Sequence, residues 1–148
     1  MQIQWIIKEF KELELEELYG LLQLRERVFE IEQNCVYPDL DDKDQTAVHI
    51  MGYGDDKMIA YSRLLPQGIS YEDMSIGRVV THISYRRFGI GKELMTVSIE
   101  ACYKYFGKAP IRISAQLYLK AFYKGFDFVA VSEPYMEDNI PHIEMLKD

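Results

Sequence analysis

Little in this chain could cross-link it or hold a metal. Its two cysteines, Cys35 and Cys102, show neither a metal-type spacing nor a disulfide framework. A reducing compartment, the cytoplasm, is the expected home, and no metal is expected. No apolar run approaches the ~18 residues that span a bilayer, and the opening MQIQWIIKEF lacks the layout of a secretory leader. A membrane is therefore not an expected partner. Basic charge is also short: 17 Lys and Arg against 24 Asp and Glu leave a net charge of -7. That balance argues against nonspecific nucleic-acid binding, which needs a basic face to displace phosphate counterions. Repeats, low-complexity tracts and linkers are absent too, so residues 1–148 are expected to form a single domain.

What is present is ordinary globular material, 48% hydrophobic and 28% charged, but its charge is uneven. Glu30, Glu32, Asp39, Asp41, Asp42 and Asp44 crowd one stretch, while Arg78, Arg86, Arg87 and Lys92 crowd another. An acidic and a basic pole suit a cationic and an anionic ligand; solvated loop charge explains them equally well.

Hydrophobic period and turn residues predict a strand at Ile3–Lys8 and a helix at Leu13–Ile31, with Leu15, Leu18, Leu22, Phe29 and Arg25 on one face. A loop from Asn34 to Thr46 comes next. Strands Ala47–Tyr53 and Met58–Leu65 are then joined by a hairpin at Gly54-Asp55-Asp56-Lys57. A strand at Ser75–Ile83 and a helix at Gly91–Phe106 follow, the helix stopped by Gly107 and Pro110. Ile111–Ala115, Phe128–Ser132 and His142–Leu146 are expected strands, and Leu117–Lys124 a short helix. An antiparallel hairpin followed by strand-helix-strand-helix-strand predicts a mixed α/β sheet with helices packed on it.

Between the strand at Ser75–Ile83 and the long helix lies Arg86-Arg87-Phe88-Gly89-Ile90-Gly91-Lys92. Glycines there let backbone N–H groups at a helix start approach an anion closely. A Walker A loop is excluded, because Arg86 and Glu93 stand where Gly and Ser or Thr are needed. The dinucleotide fingerprint is excluded because Leu94 replaces its third glycine. A bare G-x-G is also compatible with a plain tight turn.

Three separated motifs narrow the choice. Arg86 to Gly91 fits Q/R-x-x-G-x-G/A, which resembles the pyrophosphate loop of the GNAT superfamily of N-acetyltransferases. Gln116-Leu-Tyr-Leu-Lys-Ala-Phe122-Tyr123-Lys-Gly-Phe-Asp resembles the second half of that family's coenzyme A site, with Gln116, Leu119 and Asp127 departing from the usual Asn, Ala and Gly. The run Leu24 to Asp41 and the tail Glu137-Asp138-Asn-Ile-Pro141-His142-Ile143 are similar to the ElaA-like subgroup. The resemblance spans nearly the whole chain. It implies a mostly antiparallel sheet of about six or seven strands flanked by helices, with splayed central strands admitting acetyl-CoA.

It further implies that main-chain groups of Val79, Val80 and Thr81 hold the pantetheine arm and acetyl carbonyl. Arg86, Arg87, Phe88, Gly89, Ile90, Gly91 and Lys92 would surround the pyrophosphate, with Gln116 and Phe122 completing the cofactor site. Tyr123 is placed to protonate the leaving thiolate; core packing beside Phe122 and Phe126 is the plainer role. A base must deprotonate the acceptor, a primary amine of a small molecule or peptide. Glu32 and Glu133 are the first candidates, with His82 and His142 behind them. Arg25, Glu32, Tyr37, Asp39 and His142 are candidate acceptor contacts, although a salt bridge suits Arg25, a loop anchor suits Tyr37, and Cys35 reads as a passive thiol. The alternatives are a non-catalytic acyl-CoA-binding module and a transferase using a longer acyl chain. Either a monomer or a homodimer fits.

Overall fold

The computed structural model describes residues 2–34 and 38–148, leaving aside the Arg87 side chain. Tyr37 and Cys35 thus lie outside the described residues. The strands are β1 (Gln4–Glu9), β2 (Val48–Gly54), β3 (Lys57–Leu65), β4 (Met74–Thr81), β5 (Ile111–Gln116), β6 (Val129–Ala130), β7 (Tyr135–Glu137) and β8 (Ile140–Lys147). The helices are α1 (Leu15–Arg25), α2 (Ile90–Phe106) and α3 (Lys120–Lys124). One 8-stranded sheet runs β1-β2-β3-β4-β5-β8-β6, with β7 paired to β8. Among the described residues only the β4–β5 pair is parallel; the other pairings are antiparallel.

Two tight hairpins set the register. Asp55 and Asp56, at φ 52 and 63, close the expected β2–β3 hairpin as a two-residue turn with both residues left-handed. Asp138 and Asn139 repeat that geometry at φ 52 and 63 between β7 and β8. The second hairpin was not expected, and the closing strand starts at Ile140 rather than His142. Pro141 obscures its alternation, and β7 is only 3 residues long.

Helices cover both faces. On one, α2 buries Ile90, Leu94, Met95, Ile99 and Cys102 in a core with Ile50, Ile59, Ile76, Ile113 and Ile143. On the other, α1 buries Leu21 and Leu24, with Val28, against Met51, Tyr61 and Val80. Leu15 was expected on the inner stripe of α1 but is 86% exposed. The leucine-rich segment offers more than one apolar stripe, and packing against β3 selects the one through Leu21 and Leu24.

The predicted single helix also ends early, at Arg25, and continues as a π-helix over Glu26–Glu32. Wider π turns rotate the following side chains away from the α-helical stripe, a device common at functional sites. Phe29, Glu32 and Gln33 thereby line a cleft, Phe29 while also packing against the core.

Candidate active site

A bulge creates the cleft. On β4, Gly77 opposes Arg63 and Val80 opposes Tyr61, so Arg78 and Val79 together face Ser62 alone. Arg78 takes the unusual φ of 49 there. The extra residue inverts the side-chain alternation, which is why Ile76 joins the α2 core while Val80 joins the α1 core. Beyond the bulge β4 leaves its neighbour: it pairs with β5 only at Met74–Ile111 and Ser75–Arg112. The stretch from Ile76 to Thr81 and its counterpart from Ile113 to Gln116 line a cleft of about 650 Å³ between the parted strands.

The bulge is held from the acidic loop. Arg78 Nε donates to Asp39 Oδ1 at 2.8 Å, and Asp39 Oδ2 accepts from Arg25 Nε at 2.8 Å. Arg25 Nη1 reaches Asp44 at 2.8 Å, and Arg63 binds Asp41 through both Nη atoms, at 2.7 and 2.8 Å. Asp39, Asp41 and Asp44 therefore answer three arginines in a largely buried network instead of ringing the cleft mouth. Arg25, fully buried, and Asp39 are not brought to the cleft, contrary to their expected place as acceptor contacts. A guanidinium without water needs nearby carboxylates, and these are the ones in reach. The loop's acidity serves the fold.

The donor half of the cleft lies on the α2 side. Gly89, with φ 70, ends a 3-10 turn over Ile83–Phe88 and opens α2. The first amides of α2, from Ile90 to Lys92, have no intrahelical acceptor, and the helix dipole adds positive potential there. No atom lies within 4 Å of where a Cβ on Gly89 would stand, so the approach is open. The Phe122 ring edge lies 3.8 Å from the corresponding point on Gly91. Phe88 and Lys92 are exposed, whereas the Ile90 side chain is buried in the core and offers only its backbone. These features fit a coenzyme A thioester: open amides for a pyrophosphate and an unpaired strand edge at Val79, Val80 and Thr81 for an amide-bearing arm.

Tyr123 stands on the wall of the cleft, its ring edge-on to Phe122 at 5.1 Å and Phe128 at 6.0 Å. Burial pushes its phenol up to about 12, with Tyr118 adding a smaller push. The group thus keeps its proton at neutral pH.

Across the sheet the lining changes character. Ile111, Ile113 and Ala115 of β5 and Ile143 and Met145 of β8 point to the α2 core. Alternation turns Ser114, Gln116 and His142 to the opposite face, where they line the cleft. Gln116 Nε2 donates to Gln33 Oε1 at 3.2 Å, tying the end of β5 to the π-helix. Glu32 lines the cleft, but Arg86 grips both carboxylate oxygens, with Nη2 2.6 Å from Oε2. Arg86 Nε also donates to the Thr81 carbonyl at 3.1 Å. Glu133 is exposed and does not line the cleft. His82 caps the turn after β4, accepting from the Ser84 N–H at 3.1 Å, and stays outside the lining.

Family comparison agrees with this geometry. The acetyltransferase (GNAT) domain family matches residues 22–148. Protein ElaA of Escherichia coli K12 is 40% identical over 148 residues, covering 99% of this chain and 97% of that protein. The crystal structure of an acyl-CoA N-acyltransferase from Pseudomonas aeruginosa superposes with a TM-score of 0.95 at 40% identity, covering 99% of this chain and 100% of that one. Escherichia coli ElaA itself superposes with a TM-score of 0.93 at 39% identity, with the same coverage of both chains. The chain belongs to the GNAT acetyltransferase family.

A GNAT acyltransferase takes a coenzyme A-derived cosubstrate, and in this one the parted β4 and β5 offer the place for it. Sequence reasoning missed one group on the β8 side of the cleft in this GNAT fold. Ser114 Oγ lies 2.6 Å from Tyr135 Oη, and His142 Nε2 lies 3.4 Å from Glu137 Oε2. The sequence marks Glu137 and Asp138 only as part of a subgroup-like tail. The signal that could have found them was the Asp138-Asn139 turn, a two-residue hairpin loop that folds Tyr135 and Glu137 back on His142.

Proposed function

We propose that the protein transfers the acetyl group of acetyl-CoA to a primary amine by direct attack within a ternary complex. The observation that carries this reading is the cleft through the sheet. Its α2 side offers helix-start amides and Tyr123, and its opposite side offers the polar groups of Glu32, Gln116 and His142. Donor and acceptor would enter from opposite faces and meet where β4 leaves β5.

An acceptor ammonium entering the cleft loses water, which lowers its pKa and eases loss of the first proton. The nitrogen lone pair then forms the C–N bond at the thioester carbonyl. Main-chain N–H groups on the unpaired edge of β4 suit the developing oxyanion. As the C–S bond breaks, its electron pair leaves on sulfur, and Tyr123 donates to it. A phenol at about 12 does not surrender its proton outright to a thiolate with an ordinary value near ~8.5. Transfer is completed as the nitrogen, now acidic, sheds its second proton to restore the tyrosine through solvent.

Glu32 contributes by holding Arg86 at the mouth, beside the pyrophosphate amides, more than as a free base. A thiol-release assay with acetyl-CoA against polyamines, aminoglycosides, amino acids and peptides tests the reading. Thiol release that depends on an amine is expected. Coenzyme A binding without release for any amine would leave a binding module, and turnover only with longer acyl donors would replace the acetyl group.

A further inference from the structure

We infer that His142 is the general base of the reaction, oriented by the Ile140 carbonyl and backed by Glu137; the inference rests on the acyl-transfer reading above. The hydrogen bonds assign the tautomer. His142 Nδ1 lies 2.7 Å from the Ile140 carbonyl oxygen, which can only accept, so Nδ1 carries the proton. In the neutral ring Nε2 is then the bare nitrogen. The side chain is 9% exposed and lines the cleft, so this lone pair is nearly dry yet next to the space an acceptor would fill.

When Nε2 takes a proton the ring becomes a cation, and Glu137 Oε2, 3.4 Å away, is positioned to stabilise it. The Ile140 carbonyl on Nδ1 is the orienting partner, and Glu137 lies beside the nitrogen that takes the proton. Tyr135 stacks on the imidazole at 6.2 Å and 23°, which fixes the ring plane. The hairpin turn at Asp138-Asn139 brings the three groups together, so a tight turn builds the site.

Other polar and charged groups surround His142. From β7 come Glu137 and the Tyr135 hydroxyl, and from the turn Asp138. From β8 itself comes Glu144, which accepts from Arg112 at 2.6 Å. Across the cleft, Glu32 is neutralised by Arg86. Glu32 has both oxygens engaged, whereas Nε2 of His142 lies 3.4 Å from the Glu137 carboxylate.

The proton balance is simple. Nε2 receives the first proton from the acceptor nitrogen and passes it to solvent, while the lone pair it releases forms the C–N bond. Tyr123, on the α2 side, serves the sulfur. Base and acid thus work from opposite faces, and neither has to move between the two tasks.

The test compares wild type, His142→Gln and Glu32→Gln in the thiol-release assay across pH, with acetyl-CoA affinity measured by calorimetry. Wild-type kcat/KM should rise with pH along a one-proton acid limb. His142→Gln should lose ~10²–10⁴-fold in kcat/KM and lose that limb, while acetyl-CoA affinity stays unchanged. Added imidazole should partly restore His142→Ala, and Glu32→Gln should keep the limb. Nitrogen NMR should find the single proton of the neutral His142 ring on Nδ1. An active wild type whose His142→Gln variant keeps the limb overturns the assignment, as does the opposite tautomer or loss of the limb in Glu32→Gln. A wild type inactive with every amine instead removes the acyl-transfer reading, and the base falls with it.

Discussion

Asp39 links Arg25 to Arg78, receiving Arg25 Nε on one carboxylate oxygen and Arg78 Nε on the other, each at 2.8 Å. Arg25 ends α1, and Arg78 is the bulge residue of β4. One carboxylate therefore ties the helix to the place where the sheet opens, without lining the cleft.

Asp39→Ala should cost ~3–5 kcal/mol, because it leaves the fully buried Arg25 short of a counter-charge. It should also weaken coenzyme A binding, since Arg78 loses one of its carboxylate partners. Urea denaturation and calorimetry read the two effects separately. An unchanged urea midpoint would mean the arginines find other partners.

Acid should destabilise the protein in two stages. Burial depresses His49 below its ordinary 6.5, helped by the charges of Arg25 and Arg63, while the Asp44 carbonyl it bonds works the other way. Burial would raise Asp41, but bonds and charge from Arg63 overcome it and hold the group at about 2, below its ordinary 3.8. Both groups bind more protons in the unfolded chain, so stability falls as pH falls. His49 acts from 6.5 downward, and Asp41 acts between 3.8 and about 2. A urea midpoint that does not change between about pH 7 and 5 would contradict the first stage.

The two loop glycines should fail differently. Gly89 has φ 70, so Gly89→Val strains the backbone by ~1–2 kcal/mol as well as obstructing the anion approach. Gly91 has an ordinary conformation and its nearest neighbour at 3.8 Å, so Gly91→Val should keep stability and lose coenzyme A affinity. Unaltered affinity in both variants would refute the pyrophosphate assignment.

Tyr123→Phe removes one oxygen from a packed ring, so melting temperature and acetyl-CoA affinity should hold. Turnover should fall by ~10²–10⁴-fold, in kcat more than in KM. With its phenol near 12, Tyr123 should impose no loss of rate through its own ionisation at neutral or mildly basic pH. Full activity in the variant would show that the thiolate leaves unaided.

Much of the fold was legible in sequence because its signals are local. The Asp55-Asp56 hairpin, the helix stop at Gly107 and the Arg86–Gly91 loop each depend on residues adjacent in the chain. So does the Phe122-Tyr123 pair, placed by one short helix. The chain by itself determined the order of the longer strands and helices, the helix-start amides at Gly89–Lys92 and the placing of Tyr123 beside Phe122. Tertiary structure alone decided which charges pair with one another. Asp39, Asp41 and Asp44 look like a solvated acidic pole until β3 and β4 bring Arg63 and Arg78 against them. The bulge at Arg78 and the facing of His142 by Glu137 likewise depend on strand pairing, which sets residues from different segments opposite one another. Burial and charge pairing are properties of such neighbours, and a linear sequence does not contain them.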